Sequence, residues 1–226
     1  MQPRVSVVIP ALNEAESIGR VLQSMPWSEI AECIVVDNGS TDATAGVARA
    51  AGARVVTSPR GYGSACSAGA RAAIASSDVL VFLDGDGSDD VCAMPRLVGP
   101  IERGEAEFVI GSRIRGRVEP GALNGAQVFA AKMIGALVKR LYGFRYTDMG
   151  PFRAIRRDCL EKMQMREMTY GWNLEMQIKA LKLGLRVVEI PIDYRCRIGG
   201  ESKVSGNLWS SVKAGARILG VLARVR

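Results

Sequence analysis

The feature that most constrains this chain is an apolar run that ends in two carboxylates. Residues 79–83 read Val-Leu-Val-Phe-Leu without alternation, and Asp84-Gly85-Asp86 follows directly. Such a run is typical of a strand buried on both faces, as in a parallel sheet between helices. Ligands of open α/β sheets bind just beyond the carboxyl ends of strands. The aspartates therefore indicate either a divalent-cation site that also binds phosphate or a solvated Asp-Gly turn.

The composition sets limits on the class of protein. The chain has 226 residues and a formal net charge of +7, which suits one domain with an anionic partner such as a nucleotide, a lipid phosphate or a nucleic acid. No uncharged apolar run approaches the ~20 residues that span a bilayer. Five scattered cysteines and no histidine argue against a zinc site and favour reduced thiols in a cytoplasmic protein.

Strands alternate with helical segments through the first half. Apolar runs at 5–9, 34–36, 55–56, 79–83 and 108–110 predict five strands of a parallel sheet. The polar residues that follow these strands would meet at one edge around one ligand, and they are Asn13, Glu14, Asp37, Asp84, Asp86, Ser112 and Arg113. We also predict a helix that begins at residues 13–16, with Glu14 and Glu16 in its first turn.

The second half changes pattern after Arg113. The predicted elements are a loop at 115–121, a helix at 123–141, a turn into a short strand at 147–153, a helix at 172–183, a strand at 186–190, a basic loop at 195–203 and a last helix from about 206. Pro191 indicates an edge strand or the end of a strand. The sequence shows no repeat and no linker.

Familiar phosphate and catalytic motifs are absent from the sequence. There is no P-loop, and no Gly-x-Gly-x-x-Gly follows the first strand. Without histidine, a Ser-His-Asp triad is excluded as well. A nucleotide-binding protein of this kind would hold phosphate through a metal ion and through Arg or Lys side chains.

Three motifs in the first half resemble those of family 2 glycosyltransferases with the GT-A fold. They are residues 7–14 (VVIPALNE), 35–42 (VVDNGSTD) and 84–86 (DGD). Residues 111–113 (GSR), 148–153 (DMGPFR) and 197–203 (RIGGESK) resemble the branch that makes polyprenyl- or dolichyl-phosphate mannose and glucose.

The resemblance implies an α/β GT-A fold in one domain over 1–226. Residues 1–113 would bind the nucleotide sugar, and 114–226 would bind the acceptor and include a basic amphipathic helix. The implied reaction transfers mannose or glucose, with inversion, from a donor of the GDP-mannose or UDP-glucose type to polyprenyl phosphate, with Mg²⁺ or Mn²⁺. Two alternatives stay open: a soluble or polysaccharide hydroxyl acceptor, and a catalytically idle nucleotide-sugar-binding protein.

The resemblance also assigns donor-side roles. Pro10, Ala11 and Glu14 would border the nucleoside, and Asp37 would hydrogen-bond the base. Within Asp84-Gly85-Asp86, Asp84 would lie near ribose and metal, and Asp86 would bind the metal. Many relatives carry Gln two residues later, where this chain has Ser88, a shorter and weaker ligand. Asp89 could compensate for it.

The acceptor-side candidates each have a plainer structural alternative. Arg113 would bind donor or acceptor phosphate, or lie at the surface. Asp148 would orient a substrate or act as a base, or form an Asx turn. Glu175 would face the site, or pair with Lys179 on a helix surface. Arg197 and Lys203 would bind the acceptor phosphate, or lie in a solvated loop.

The absence of histidine fits a phosphate acceptor. A phosphate monoester is already ionised near neutral pH, with a second pKa of about 6, so it can attack without a general base.

The segment from Leu208 predicts a surface helix rather than a membrane-spanning one. Leu208 and Leu219 share an apolar face, and Lys213, Arg217 and Arg224 share a basic one. We expect this helix either to pack on the domain or to contact anionic lipid on the cytoplasmic face of a membrane. We expect no nucleic-acid partner, and a homo-oligomer is compatible with the sequence.

Overall fold

One seven-stranded sheet forms the centre of the molecule. The computed structural model describes residues 3–199. The strands are β1 Val5–Ala11, β2 Glu32–Asp37, β3 Arg54–Thr57, β4 Val79–Phe82, β5 Phe108–Ser112, β6 Arg153–Arg156 and β7 Val187–Pro191. Their order is β3-β2-β1-β4-β6-β5-β7, and only β6 among them runs antiparallel to its neighbours. The prediction of a mostly parallel sheet is therefore confirmed.

Helices cover both faces of this sheet. They are α1 Ile18–Gln23, α2 Thr44–Ala50, α3 Tyr62–Ala72, α4 Met94–Glu102, α5 Gly125–Tyr142, α6 Arg157–Met163 and α7 Trp172–Lys182, with a short 3₁₀ turn at Val91–Ala93 before α4. One core cluster joins α1, α2 and α4 to the sheet, and a second joins α3, α5, α6 and α7 to the opposite face. All four residues of β4 are buried between the two clusters, as the unbroken apolar run predicts.

The first helix differs from the prediction. It begins at Ile18, and neither Glu14 nor Glu16 lies in its first turn. Asn13 has a left-handed backbone with φ of 53°, and the N–H groups of residues 13–15 donate to Ser40, Thr44 and Asp42 after β2. Because these side chains bind the N–H groups, the chain turns before it becomes helical, and β1 runs through Pro10 to Ala11.

The topology gathers several chain ends at one edge of the sheet. The carboxyl ends of β1, β2, β4 and β5 lie there, and so does the start of the antiparallel β6. The strand order reverses at the β1–β4 junction, because the chain leaves β1 towards β2 and leaves β4 towards β5, and ligands of open α/β sheets bind at such a point. The edge-strand prediction for Pro191 is confirmed, since β7 is the last strand.

Two predicted features, Lys203 and the helix from about 206, lie outside the described residues. Within residues 3–199, no helix is long and apolar enough to cross a membrane.

Gly69 provides a test of the helix-on-sheet packing. A Cβ at Gly69 of α3 would lie 2.3 Å from Val8 Cγ1 and 2.9 Å from Val36 Cγ2. We expect Gly69→Ala to destabilise the protein by about 1–3 kcal/mol through overpacking. Gly46 on α2 is a matched control because a Cβ there would meet no atom within 4 Å, so Gly46→Ala should be neutral or stabilise by about 0.5–1 kcal/mol. Urea unfolding measures both, and equal effects would contradict the packing.

Candidate active site

The loops after β1 and β4 are joined at the switch point of the sheet. The Ser17 hydroxyl donates to the Gly85 carbonyl at 2.8 Å and lies 3.0 Å from Glu14 Oε2. Gly85 packs closely, since a Cβ there would lie 3.3 Å from Ile9 and Ile18 side-chain atoms. The loop that carries Asp84 and Asp86 therefore has a fixed position beside Glu14.

Three carboxylates crowd the end of β4. Burial, and then the charge of Asp86, raise the pKa of Asp84 to about 7. Burial and the charge of Asp84 also raise the pKa of Asp89. Asp89 Oδ2 accepts from the Asp84 N–H at 3.3 Å, while its buried Oδ1 has no hydrogen-bond partner among the described residues. Nearby positive charges and hydrogen-bond donors therefore do not fully offset the burial of these three carboxylates.

Arg197 supplies one of the nearby cations. Its Nη2 lies 2.9 Å from Asp86 Oδ2 and 3.8 Å from Glu14 Oε1. The binding of acceptor phosphate by Arg197 stays a prediction; in the structure Arg197 pairs with Asp86 and Glu14 because the 194–198 segment lies on the β4 loop. Asp86 Oδ1 accepts from the Ser88 N–H at 2.9 Å.

The 194–198 segment is fastened to the β4 loop along the backbone. The Arg195 N–H donates to the Ser88 carbonyl at 3.0 Å, and the Ile198 N–H donates to the Asp86 carbonyl at 3.0 Å. The backbones of Tyr194 and Asp89 form an isolated antiparallel β-bridge. Burial raises the pKa of Tyr194, and the charge of Arg113 opposes that rise.

Arg113 and Asp148 form a buried bidentate pair at the same edge. Arg113 Nε lies 2.7 Å from Asp148 Oδ2, and Arg113 Nη2 lies 2.8 Å from Asp148 Oδ1. Burial opposes ionisation of Asp148, but the hydrogen bonds and charge of Arg113 outweigh it and lower the Asp148 pKa. The Arg113 guanidinium lies 4.9 Å from the centre of the Tyr194 ring. Its charge also lowers the pKa values of Asp84 and Asp89, in opposition to burial.

Two residues outside the predicted site hold the Asp148 turn. Glu189 of β7 accepts from the Thr147 N–H at 2.9 Å and the Asp148 N–H at 3.3 Å. Gln177 of α7 donates to the Asp148 carbonyl at 2.8 Å. The sequence gives one indication that Glu189 has a special role, because it is a charged residue inside an apolar strand. It gives no such indication for Gln177.

Glu175 lies elsewhere. It is 2% exposed, and its carboxylate accepts from the backbone N–H groups of Arg166 and Glu167 and pairs with Lys179 at 2.8 Å. These contacts hold the segment before α7, so its carboxylate is committed to structure and not to Arg113 or Asp148. The pairing with Lys179 was the structural alternative at the sequence level, although there it was expected on an exposed helix surface.

The predicted nucleoside side is built from the ends of β1 and β2. Pro10 and Ala11 pair with Val36 and Asp37 across the two strands. Asp37 Oδ1 accepts from the Ser40 N–H at 2.9 Å, and Asn38 binds the Gly61 N–H at 2.9 Å. The loop is therefore preorganised, with Asp37 at its rim beside β1.

The donor set suits a metal ion that substrate helps to hold. Among residues 3–199, no group of three or more Asp, Glu, Cys or His side chains is arranged to bind a metal alone. Asp84 and Asp86 supply two carboxylates one residue apart, and Mg²⁺ typically takes one or two carboxylates plus substrate phosphates. The uncompensated charge at Asp84 and the unpartnered Oδ1 of Asp89 fit a cation nearby.

The raised pKa of Asp84 predicts a pH-dependent stability. An unfolded Asp ionises near pH 4, whereas folded Asp84 ionises near 7. The folded state therefore keeps a proton that the unfolded state loses between these values, and stability falls as pH rises through this window. In metal-free buffer, Asp84→Asn should raise the melting temperature by about 5 °C at pH 8 and by much less at pH 5.

Asp158→Asn is the control with opposite sign. Burial opposes ionisation of Asp158, but the combined hydrogen bonds and charges of Lys162 and Arg156 outweigh it and lower the Asp158 pKa, so this change should not stabilise the protein at pH 8. Calorimetric melting curves decide, and an Asp84→Asn effect that is equal at both pH values would contradict the assignment.

The sequence is similar to those of known glycosyltransferases. Residues 6–164 match the family Glycosyl transferase family 2. The chain is 40% identical over 93% of its length to an uncharacterized glycosyltransferase of Mycobacterium tuberculosis, 94% of which is covered. It is 35% identical over 98% of its length to the undecaprenyl-phosphate mannosyltransferase of Micrococcus luteus, 96% of which is covered.

A solved structure shares the same architecture. Glucosyl-3-phosphoglycerate synthase from Mycobacterium tuberculosis, in complex with Mn²⁺, UDP-glucose and glycerol 3-phosphate, superposes with a TM-score of 0.79 at 25% identity, over 99% of this chain and 80% of that one. The family match, the relatives and the fold agree, and the predicted GT-A fold is confirmed. The chain belongs to glycosyltransferase family 2, in the branch that resembles polyprenyl-phosphate glycosyltransferases.

Proposed function

We propose that this chain transfers a hexose, with inversion, from a nucleotide diphosphate sugar to polyprenyl phosphate. The observation that carries the proposal is the buried Arg113–Asp148 pair beside the carboxylates of β4. Asp148 binds Nε and Nη2 of Arg113, and Arg113 Nη1 makes no hydrogen bond within the described part of the chain. A guanidinium held in this way presents its remaining N–H groups to an anion in a fixed direction.

The same pair limits the acid–base chemistry of the site. Asp148 has a lowered pKa and both its oxygens bound, so it is a poor general base. Glu175 is committed to the segment before α7. A phosphate acceptor is compatible with this arrangement because its oxygen is already ionised near neutral pH.

The reaction then requires no proton transfer from the acceptor. A phosphate oxygen of the acceptor bonds to the anomeric carbon while the bond from that carbon to the diphosphate breaks, and a nucleoside diphosphate leaves. Arg113 binds the acceptor phosphate and Asp148 orients Arg113. Asp37 and the loop from Pro10 to Glu14 border the nucleoside.

Asp84 and Asp86 are the residues that would hold a Mg²⁺ or Mn²⁺ ion. Such an ion stabilises the negative charge of a departing diphosphate when it is bound. Mn²⁺ is present in the solved complex of glucosyl-3-phosphoglycerate synthase. Asp89, whose buried Oδ1 has no partner among the described residues, supports the site more directly than the shorter Ser88.

A second candidate acceptor is a small phosphorylated molecule with a free hydroxyl. Its support is the structural likeness to glucosyl-3-phosphoglycerate synthase, which was solved with glycerol 3-phosphate. A hydroxyl acceptor needs a general base, and neither Asp148 nor Glu175 suits that role because both carboxylates are already hydrogen-bonded. In both candidates, the donor-binding residues lie within residues 1–113, and Arg113 together with residues from within 114–226 forms the acceptor side.

A matrix of donors and acceptors tests the proposal. GDP-mannose and UDP-glucose are each incubated with Mg²⁺ or Mn²⁺ and with polyprenyl phosphate, 3-phosphoglycerate or a polysaccharide. We expect sugar on the polyprenyl phosphate. Sugar on 3-phosphoglycerate alone would favour the second candidate, and nucleotide binding without transfer to any acceptor would indicate an idle binding protein.

We expect substitutions of Asp86 and of Arg197 to change the Mn²⁺ affinity in opposite directions. Asp86→Asn should remove Mn²⁺ binding, because a ligand is lost. Arg197→Ala should tighten Mn²⁺ binding without nucleotide by about three- to tenfold, because the competing cation on Asp86 Oδ2 is removed. Arg195→Ala is a matched control, since Arg195 is exposed in the same loop and forms no ion pair in the described structure. Mn²⁺ titration by electron paramagnetic resonance measures all three, and weaker binding by Arg197→Ala would refute the competition.

We expect Asp37→Ala to lower the affinity for the nucleotide more than it lowers the stability of the fold. Removal of a hydrogen bond to the base should weaken nucleoside diphosphate binding by about 1–3 kcal/mol. Calorimetric titration of Asp37→Ala measures the affinity, and thermal melting is the control for folding. An unchanged affinity would rule Asp37 out of the binding site.

A further inference from the structure

The outer face of α5 carries the most exposed large apolar side chains in the described structure. Phe129 is 64% exposed and Met133 is 58% exposed. Ala126 and Ala136 continue the same stripe at helical spacing, and both are exposed. The opposite face of α5 packs into the core through Ala131, Ile134, Gly135 and Val138. Hence α5 is apolar on two faces, and the fold buries only one of them.

The charge around this stripe has a single sign. The helix contains Lys132, Lys139 and Arg140 and no acidic residue. Between residues 114 and 147 there are six basic residues and one acidic residue, Glu119. Glu119 is engaged by the Cys196 N–H at 2.7 Å, while Lys132, Lys139 and Arg140 are exposed and form no ion pair within the described residues.

We propose that α5 is the element by which this protein docks on an anionic lipid bilayer, with Phe129 and Met133 inserted and the basic side chains at the headgroups. An apolar stripe flanked by Lys and Arg, without carboxylates, is the pattern of helices that lie in a membrane interface. The inference deepens the proposed function, because a polyprenyl phosphate acceptor resides in a membrane.

Other occupants fit the same face less well. A second copy of the chain would bring Lys132, Lys139 and Arg140 against their own equivalents around a two-fold axis, and like charges would repel. Residues 200–226 carry five basic residues and one acidic residue, so they offer the stripe no complementary charge. An anionic bilayer complements both the apolar and the basic parts.

The position of α5 also connects this surface to the site. The helix ends at Tyr142, and five residues later Thr147 hydrogen-bonds Ser112 at 2.7 Å. Asp148 then pairs with Arg113, the proposed ligand of the acceptor phosphate. A bilayer against α5 therefore lies along the chain segment that leads directly to the acceptor side of the site.

Vesicle co-sedimentation of the full-length protein tests the docking surface. The probes are vesicles of phosphatidylglycerol and phosphatidylcholine, vesicles of phosphatidylcholine alone, and an unstructured RNA. Wild type should bind the anionic vesicles at low salt and release at high salt. Phe129→Ser/Met133→Ser and Lys132→Gln/Arg140→Gln should each lower the partition coefficient by about tenfold or more.

Matched controls separate this surface from general effects. Leu183 is an exposed apolar residue at the end of α7, so Leu183→Ser should bind as wild type does. Arg20→Gln/Arg49→Gln removes two exposed charges from α1 and α2, on the opposite face of the sheet, and should also bind as wild type does.

The outcomes are distinct. Unchanged vesicle binding by Phe129→Ser/Met133→Ser would overturn the proposal. A lower melting temperature of the same variant would then indicate that the two side chains are covered by another part of this chain, such as residues 200–226, rather than by lipid. Equal wild-type binding to RNA and to anionic vesicles, with both insensitive to Phe129 and Met133, would show a charge effect only and would likewise overturn it.

Activity separates failure of docking from failure of the proposed function. With a short, water-soluble prenyl phosphate, Phe129→Ser/Met133→Ser should turn over as wild type does, and with polyprenyl phosphate in anionic vesicles it should lose about tenfold. If wild type transfers sugar to neither acceptor, the proposed function is refuted. The docking surface is tested independently, because vesicle co-sedimentation does not depend on activity.

Discussion

The mutual repulsion of the carboxylates after β4 is the constraint on which the rest of the site depends. Asp84, Asp86 and Asp89 lie within six residues at the end of a strand buried on both faces. Burial removes the water that would screen their charges, and it raises the pKa of Asp84 to about 7. The fold can keep such a group only if cations lie close to it.

Two arginines from distant parts of the chain meet that requirement in different ways. Arg113 is fixed by Asp148, and its charge lowers the Asp84 pKa. Arg197 touches Asp86 directly but comes from a segment attached mainly by backbone hydrogen bonds. Arg113 therefore acts as a permanent part of the site. Arg197 is the counter-ion of Asp86 in this structure, and we propose that a metal ion and a diphosphate replace it when the donor binds.

The sequence predicted the edge of the sheet where the polar residues after the parallel strands gather, but it did not predict the contacts made by residues of the second half. The unbroken apolar run at β4 and the polar residues after parallel strands predicted where Glu14, Asp37, Asp84 and Asp86 gather, because these features are local and the parallel topology places strand ends together. The predicted start of α1 was wrong. The observed start depends on Ser40, Asp42 and Thr44, whose side chains accept hydrogen bonds from the backbone N–H groups of residues 13–15.

Long-range pairing explains the other differences. The antiparallel β6 starts at the same edge where β5 ends, and this brings Asp148 to Arg113 across 35 residues. Nothing local in the sequence indicates that pairing or the hydrogen bond from Gln177 that holds the turn, and the charge of Glu189 within an apolar strand does not identify its partners. The substrate roles assigned to Glu175 and Arg197 rest on their charge and stay predictions. Their partners in the fold are Lys179 for Glu175, and Asp86 with Glu14 for Arg197.

The central claim is that the acceptor attacks as an ionised phosphate and needs no base from the protein. The most direct test compares the pH dependence of kcat/KM for a polyprenyl phosphate and for the matching polyprenyl phosphonate, whose second ionisation occurs at higher pH. The account predicts that the rising limb follows the acceptor, near pH ~6 for the phosphate and at higher pH for the phosphonate. A rising limb at the same pH for both acceptors would assign the ionisation to a protein group and contradict the account.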